Sequence, residues 1–221
     1  TPAPLPLWTN KAFLQVAAAI WGLGTVVIKS TVDAFPPAWI VGVRFTAAGI
    51  ILGVVMLPRI RKHLDAEHLC KGSVLGVMVF LAYWSNSTGL TDTTASNSSF
   101  LTSPYCVIIP FLGWALHGPR PTRFNLAAAM VCVAGVGCVS FAGADGFSLR
   151  FGDLVTLLSA LFLSFHVVYT AKFAPGSDMT LLTIIQFLVA GLLGLAAGLA
   201  LEPLPNFAAL GADTWTSLAY L

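Results

Sequence analysis

MTLLTIIQFLVAGLLGLAAGLAL, residues Met179 to Leu201, holds no charged side chain and no turn signal. A helix of that length, rising about 1.5 Å per residue, spans a hydrocarbon core of roughly 30 Å. A buried strand would stop after about 4 to 8 residues at Gly, Pro or Asn clusters, and this run does not. Its glycines and alanines would weaken a helix in water, whereas in lipid they let neighbouring backbones approach closely.

The same reading extends along the chain. Apolar runs occupy 12–28, 34–57, 72–91, 93–116, 124–144 and 154–171, with Arg44 as the one charge inside them. The whole chain of 221 residues is 57% hydrophobic and only 9% charged, with a mean hydropathy of +0.86. A water-exposed globule of this size carries about 25% charged residues. The composition therefore excludes a soluble enzyme and predicts an all-α integral membrane protein, a polytopic bundle of seven spans. The first run is not a secretory signal, because six more follow it.

Charge is placed by side. The N-terminus with Lys11, the 58–71 segment, the turn at Arg120 and Arg123, and the turn at Lys172 hold eight of the eleven Lys and Arg. The intervening connections hold Asp33, Asp92, Asp145, Asp153, Glu202 and Asp213. Short basic loops stay in the cytoplasm, so the N-terminus and the loops after spans 2, 4 and 6 are expected there, in the cell membrane. Lys29 breaks the pattern, and is expected to snorkel from a helix end. Cys70, Cys106, Cys132 and Cys138 show no metal-ligand spacing and are expected as buried thiols.

Residues 44–53, RFTAAGIILG, resemble residues 186–194, QFLVAGLLG, at an offset of 142, which also lays span 1 over span 6. Five spans separate the copies, so they would cross the membrane in opposite senses, the inverted-repeat plan of many secondary transporters. The expected organisation is a five-helix unit over 1–144 and a partial second unit over 151–221, with spans at 154–171 and 179–201 and another starting at 214. About three spans of that unit would then lie outside this sequence, and residues 1–221 alone are not expected to transport.

Several stretches together resemble the EamA-like branch of the drug/metabolite transporter superfamily. They are Ala19-Ile20-Trp21-Gly22 with Lys29, Phe35-Pro36-Pro37 leading to Arg44-Phe45, Thr93 to Leu101 running on to Pro110, Arg120-Pro121, and Gly152-Asp153-Leu154. The resemblance implies a carrier of two five-helix units that exports or exchanges a metabolite, amino acid or drug-like solute. Gly118-Pro119-Arg120-Pro121 departs from the family's Gly-Glu-Arg-Pro by lacking the carboxylate.

Polar groups inside lipid are costly unless they face a bundle interior or a water-filled path, so they are the candidates for a substrate path. Span 3 offers Tyr83, Trp84 and Asn86, and span 4 offers Asn97, close enough across a short connection to form one polar wall or simply to tie the two helices together. Pro104 and Pro110 can kink span 4 beside Tyr105. His166 and Tyr169, three residues apart, share a face of span 6. Trp21 matches Leu163 in the repeat alignment and could form an aromatic wall. Arg44 needs a carbonyl, a polar side chain or an anionic solute as acceptor, and its repeat partner is Gln186. The Gly49/Gly53, Gly72/Gly76 and Gly194/Gly198 pairs fit close helix contact.

No phosphate-binding loop, paired carboxylates, metal-ligand cluster or nucleophile elbow is present, so neither a cofactor, a metal nor catalysis is expected. The expected partners are a small-molecule substrate and the lipid bilayer, with no nucleic acid; self-association or a separate second half stays open. Two other classes compete: a non-transporting scaffold or subunit, and a membrane enzyme built on His166. Every carboxylate sits at or beyond a span end, which favours facilitated or exchange transport over a mid-membrane proton relay.

Overall fold

The computed structural model describes residues 7–32, 34–116, 118, 120–141, 150–205 and 211–221. These form ten helices: α1 (Leu7–Thr31), α2 (Pro37–Val55), α3 (Leu57–His63), α4 (Ala66–Asp92), α5 (Ala95–Thr102), α6 (Tyr105–Ala115), α7 (Arg123–Phe141), α8 (Phe151–Phe173), α9 (Met179–Leu201) and α10 (Ala212–Tyr220). Asp33, Asp145 and the end of the 124–144 run lie outside the described residues.

Every expected span is helical, but only five described segments are long and apolar enough to cross a bilayer: Phe13–Thr31, Pro37–Val55, Ala95–Ala115, Phe151–Phe173 and Met179–Leu201. Helix α4, 27 residues long, has the length without the hydropathy, because Ser85 to Thr88 dilute its C-terminal third. Ser85 and Ser87 are buried there, so the helix hides polarity from lipid by turning it inward. Helix α7 follows the 124–144 run as far as Phe141. The expected fourth span is two helices, interrupted at Ser103-Pro104; Pro110 lies inside α6, which continues to Ala115.

Four helices pack most closely, in the order α2, α9, α4, α8. Small residues make this possible. A Cβ on Gly42 would lie 2.6 Å from the Leu195 nitrogen, and one on Gly194 would lie 2.6 Å from the Gly42 nitrogen. Gly49 is pressed by Leu188 just as Gly191 is pressed by Thr46. These helices run antiparallel, and the offset of 142 carries contact positions 42, 46, 49 and 53 of α2 onto 184, 188, 191 and 195 of α9, which are the residues they meet. Gly72 and Gly76 bring α4 against α9, where an added Cβ would lie 2.6 Å from Ile185 and 2.7 Å from Val189. With lipid outside, such close packing takes over the cohesive role that water-driven burial has in soluble proteins.

The connections after α2, α6 and α8 gather at one end, which is basic; those holding Asp92, Asp153 and Glu202 gather at the other, which is acidic. At the acidic end, carboxylates cap neighbouring helices. Glu202 accepts from the Ala38 N–H at 3.0 and 2.9 Å, at the start of α2, and Asp92 accepts from the Gly152 N–H at 3.0 Å, at the start of α8. Asp153 accepts from the Arg150 N–H at 3.1 Å and from the Thr93 hydroxyl at 2.6 Å. An anion at a helix N-terminus meets unpaired N–H groups and the positive end of the dipole. Lys29 does not snorkel to water; its ammonium donates to the Leu90 carbonyl at 2.7 Å, in the last turn of α4 where such carbonyls lack partners.

At the basic end, Asp178 caps α9 through the Thr180 N–H at 3.0 Å and pairs with Arg59 at 2.5 Å. The Arg59 guanidinium and the capping bond hold the Asp178 carboxyl below the usual carboxylate range. His68 accepts from the Asp178 N–H at 3.0 Å, and its backbone N–H and then its ring nitrogen, each 2.8 Å from Asp65, pull the Asp65 carboxyl down as well. The α2/α9 pair is thus fastened at both ends.

The cysteines are free but not buried: Cys70, Cys106 and Cys138 are exposed and Cys132 is half-buried. An apolar thiol gains nothing by facing inward when the exterior is lipid.

Candidate functional site

Between the packed layer and the outer helices lies a cavity of about 250 Å³. Its walls come from four directions. Trp21 and Thr25 stand on α1, Tyr83 and Asn86 on α4, Ser99 and Thr102 on α5 with Ser103 and Tyr105 at the helix break, and Ser159 and Leu163 on α8. Tyr83 and Asn86, three residues apart, share one face of α4. Trp21 closes toward Tyr105, their ring centroids 6.2 Å apart.

The polar wall is hydrogen-bonded before any solute arrives. The Asn86 amide donates to Thr102 Oγ1 at 3.1 Å and to Ser98 Oγ at 3.4 Å, joining α4 to α5. Thr102 donates to the Ser98 carbonyl at 2.8 Å, Ser103 to the Ser99 carbonyl at 2.9 Å, and Ser159 to the Thr156 carbonyl at 2.6 Å. Each group keeps acceptor capacity while its donors are spent.

Of the sequence candidates, Trp21, Tyr83, Asn86 and Tyr105 meet in this cavity. Arg44 stands behind it: its guanidinium lies 5.1 Å from the Tyr83 ring centroid and 5.2 Å from that of Phe45. Among the described residues no carboxylate pairs with it, so two ring faces serve as its anionic surface. Trp84, one position from Tyr83 and about 100° around the helix, stacks on Phe80 at 5.3 Å and belongs to the packed layer. Asn97 occupies the third position of α5, where its N–H donates to the capping Thr94 hydroxyl at 3.1 Å. His166 donates from Nε2 to Gln186 Oε1 at 2.9 Å, tying α8 to α9 away from the cavity. Tyr169 packs on Phe173 at 5.7 Å, beneath the Lys172 ammonium.

Thr25 and Thr102 were not singled out from the sequence, although both line the cavity. The signal was the helix register. Once α5 starts at Ala95, positions 98, 99, 102 and 103 share the face that Asn86 addresses. Leu163, matched to Trp21 by the repeat offset, lines the same cavity from the opposite side.

A multi-pass helical membrane protein with a polar cavity walled by several helices is the class that this fold and site define. The sequence matches the EamA-like transporter family over residues 11–141, and the chain belongs to that family. It is 30% identical over 173 residues to an uncharacterized transporter of Archaeoglobus fulgidus, covering 78% of this chain and 52% of the relative. It is 24% identical over 216 residues to the uncharacterized transporter YvbV of Bacillus subtilis, covering 96% of this chain and 68% of that protein. The chain thus spans about half the length of the archaeal relative. A solved crystal structure superposes with a TM-score of 0.63 at 20% identity, covering 94% of this chain and 74% of the other.

Proposed function

We propose that the cavity is a section of the substrate path of a secondary transporter, an exporter or exchanger of a small metabolite, amino acid or drug-like solute, working by alternating access in the cell membrane. The observation that carries this reading is the convergence of Trp21, Tyr83, Asn86 and Tyr105, with Ser99 and Ser159, on one hollow within an apolar bundle. Polarity that served only to fasten helices would be consumed at contacts and would leave no hollow.

The organisation proposed with it is a unit over 1–144 and an inverted partial unit over 151–221, meeting along α2 and α9. The matching contact faces of those helices support that reading. The N-terminus and the basic end are assigned to the cytoplasm by the bias of Arg59, Arg61, Lys62 and Lys71. Single cysteines at Asp65 and at Leu204, probed in intact cells with an impermeant reagent, test the orientation: labelling at 204 alone is expected, and labelling at 65 alone reverses it.

Transport itself is tested by solute flux into proteoliposomes, using the full gene product and residues 1–221 side by side. Trp21→Ala and Asn86→Leu are expected to lower flux at least tenfold, whereas Asn97→Leu and Tyr169→Phe, outside the cavity, change it less than about twofold. Equal losses at all four positions would remove the cavity from the path. Coupling is proposed as exchange or facilitated flow, because the Asp and Glu among the described residues stand at helix ends and His166 is engaged with Gln186.

A further inference from the structure

Resting on that reading of the cavity, we propose that its ligand is an uncharged, single-ring planar solute that presents N–H donors, and that the site discriminates against both organic cations and carboxylates.

Size sets the first limit. About 250 Å³ is at or below the small end of ligand pockets, commonly about 300 to 1,000 Å³, so the site suits one ring better than a fused, multi-ring scaffold. The rings of Trp21, Tyr83 and Tyr105 favour a flat partner, since aromatic surfaces stack or meet edge to face.

Charge sets the second. Among the described residues the walls contain no Asp, Glu, Lys, Arg or His. A charged solute would surrender its hydration without meeting an opposite charge in the wall, which is the expensive case of burial. Behind the wall, the Arg44 guanidinium lies on the Tyr83 ring. It repels a cation and already uses a ring face that a cation would seek.

The hydrogen-bond inventory sets the third. The Asn86 amide N–H groups and the hydroxyls of Thr102, Ser103 and Ser159 all donate to protein acceptors. An anion would have to break those bonds or rely on the hydroxyls of Thr25, Tyr83, Ser99 and Tyr105 alone. Beside these hydroxyls the wall offers oxygen lone pairs, the Asn86 carbonyl oxygen among them, and these reward a ligand that brings its own N–H groups. A ligand of the same shape without N–H leaves those acceptors dry and unpaired, a difference worth about tenfold in affinity.

Four nearly isosteric probes separate the terms: benzamide (neutral, N–H donors), acetophenone (neutral, no N–H), benzoate (anion) and benzylammonium (cation). Equilibrium binding is measured to the protein in nanodiscs, with protein-free discs subtracted. Benzamide is expected to bind about tenfold more tightly than acetophenone, and benzoate and benzylammonium more weakly still. Asn86→Leu should reduce the benzamide advantage to less than about threefold while leaving acetophenone binding within twofold, which also reports that the variant is folded. Asn86→Asp, which adds a carboxylate, should bring benzylammonium above benzamide. Benzoate or benzylammonium binding as tightly as benzamide to the parent overturns the proposal, and so does the absence of binding by all four. In either case the flux ratios of Trp21→Ala and Asn86→Leu decide separately whether the cavity remains the path.

Discussion

The packed layer of α2, α9, α4 and α8 and the outer helices α1, α5, α6 and α7 are both built from the apolar runs of the sequence, yet they are held by different means. In the layer, glycines remove side chains where backbones meet, and both ends of α2/α9 are fastened by carboxylates. The outer helices turn large side chains outward: Leu14 is 71% exposed on α1 and Val131 is 73% exposed on α7. Their glycines include Gly22, Gly24 and Gly113, which have open space beside them. In the proposed carrier, the layer would serve as the scaffold and the outer helices as the wall that shifts against it. The cavity lies on the boundary between the two, where a carrier needs one rigid and one movable side.

That contrast can be broken at graded cost. Gly194→Leu should be the most damaging change, because its first added carbon already meets the α2 backbone. A loss of about 3 kcal/mol or more is expected, above the usual cost of overpacking; in detergent it is read as a large drop in Tm, while Gly24→Ala on α1 should change Tm little or raise it. Next comes Glu202→Ala, which strands the α2 N-terminus and should cost about 1.5 to 3 kcal/mol, as loss of a charged acceptor does.

Asp178→Ala removes a helix cap and an exposed ion pair, worth about 1 kcal/mol, nearly all from the cap. Its pH dependence has a definite sign. A carboxyl held lower in the folded protein than in the unfolded chain contributes stability that is fully present above the ordinary carboxylate pKa. That contribution is lost as pH falls through the depressed value. Thermal melts should therefore separate parent from Asp178→Ala at pH 7 and converge only in acid below about pH 4. The smallest effect is expected from His166→Gln, which keeps a polar partner for Gln186. Flux measured with and without a pH gradient should be unchanged in this variant; selective loss of gradient-driven accumulation would make His166 a proton carrier.

How much of this the sequence carried depends on which physical signal was asked. Lipid sets helix lengths through hydropathy, so the apolar runs were legible as helices, while Pro104 was legible as a kink and not as the end of a helix. The helix register within α4 was legible for Tyr83 and Asn86, but not for Trp84, because adjacent residues on a helix face different neighbours. Asn97 lies outside the cavity lining since a capping threonine, invisible to hydropathy, fixes where α5 begins. Arg44 announced its need for an acceptor, but not that two aromatic rings would serve. His166 and Gln186 were each noted, while their bond required knowing that α8 and α9 pack together. The cysteines show the opposite failure: a rule learned from water, that thiols hide inside, does not apply where the outside is apolar.

The central claim is that the hollow between scaffold and movable wall is a water-filled path, whereas the outward faces are lipid. Single cysteines at Ala82, in the cavity wall, and at Val131, on the outer face of α7, in a background lacking the four native cysteines and reconstituted in bilayers, measure this directly with a water-soluble maleimide. Position 82 is expected to react at least tenfold faster than position 131, because maleimides need thiolate and water to form it. Equal rates, or faster reaction at 131, would contradict the account.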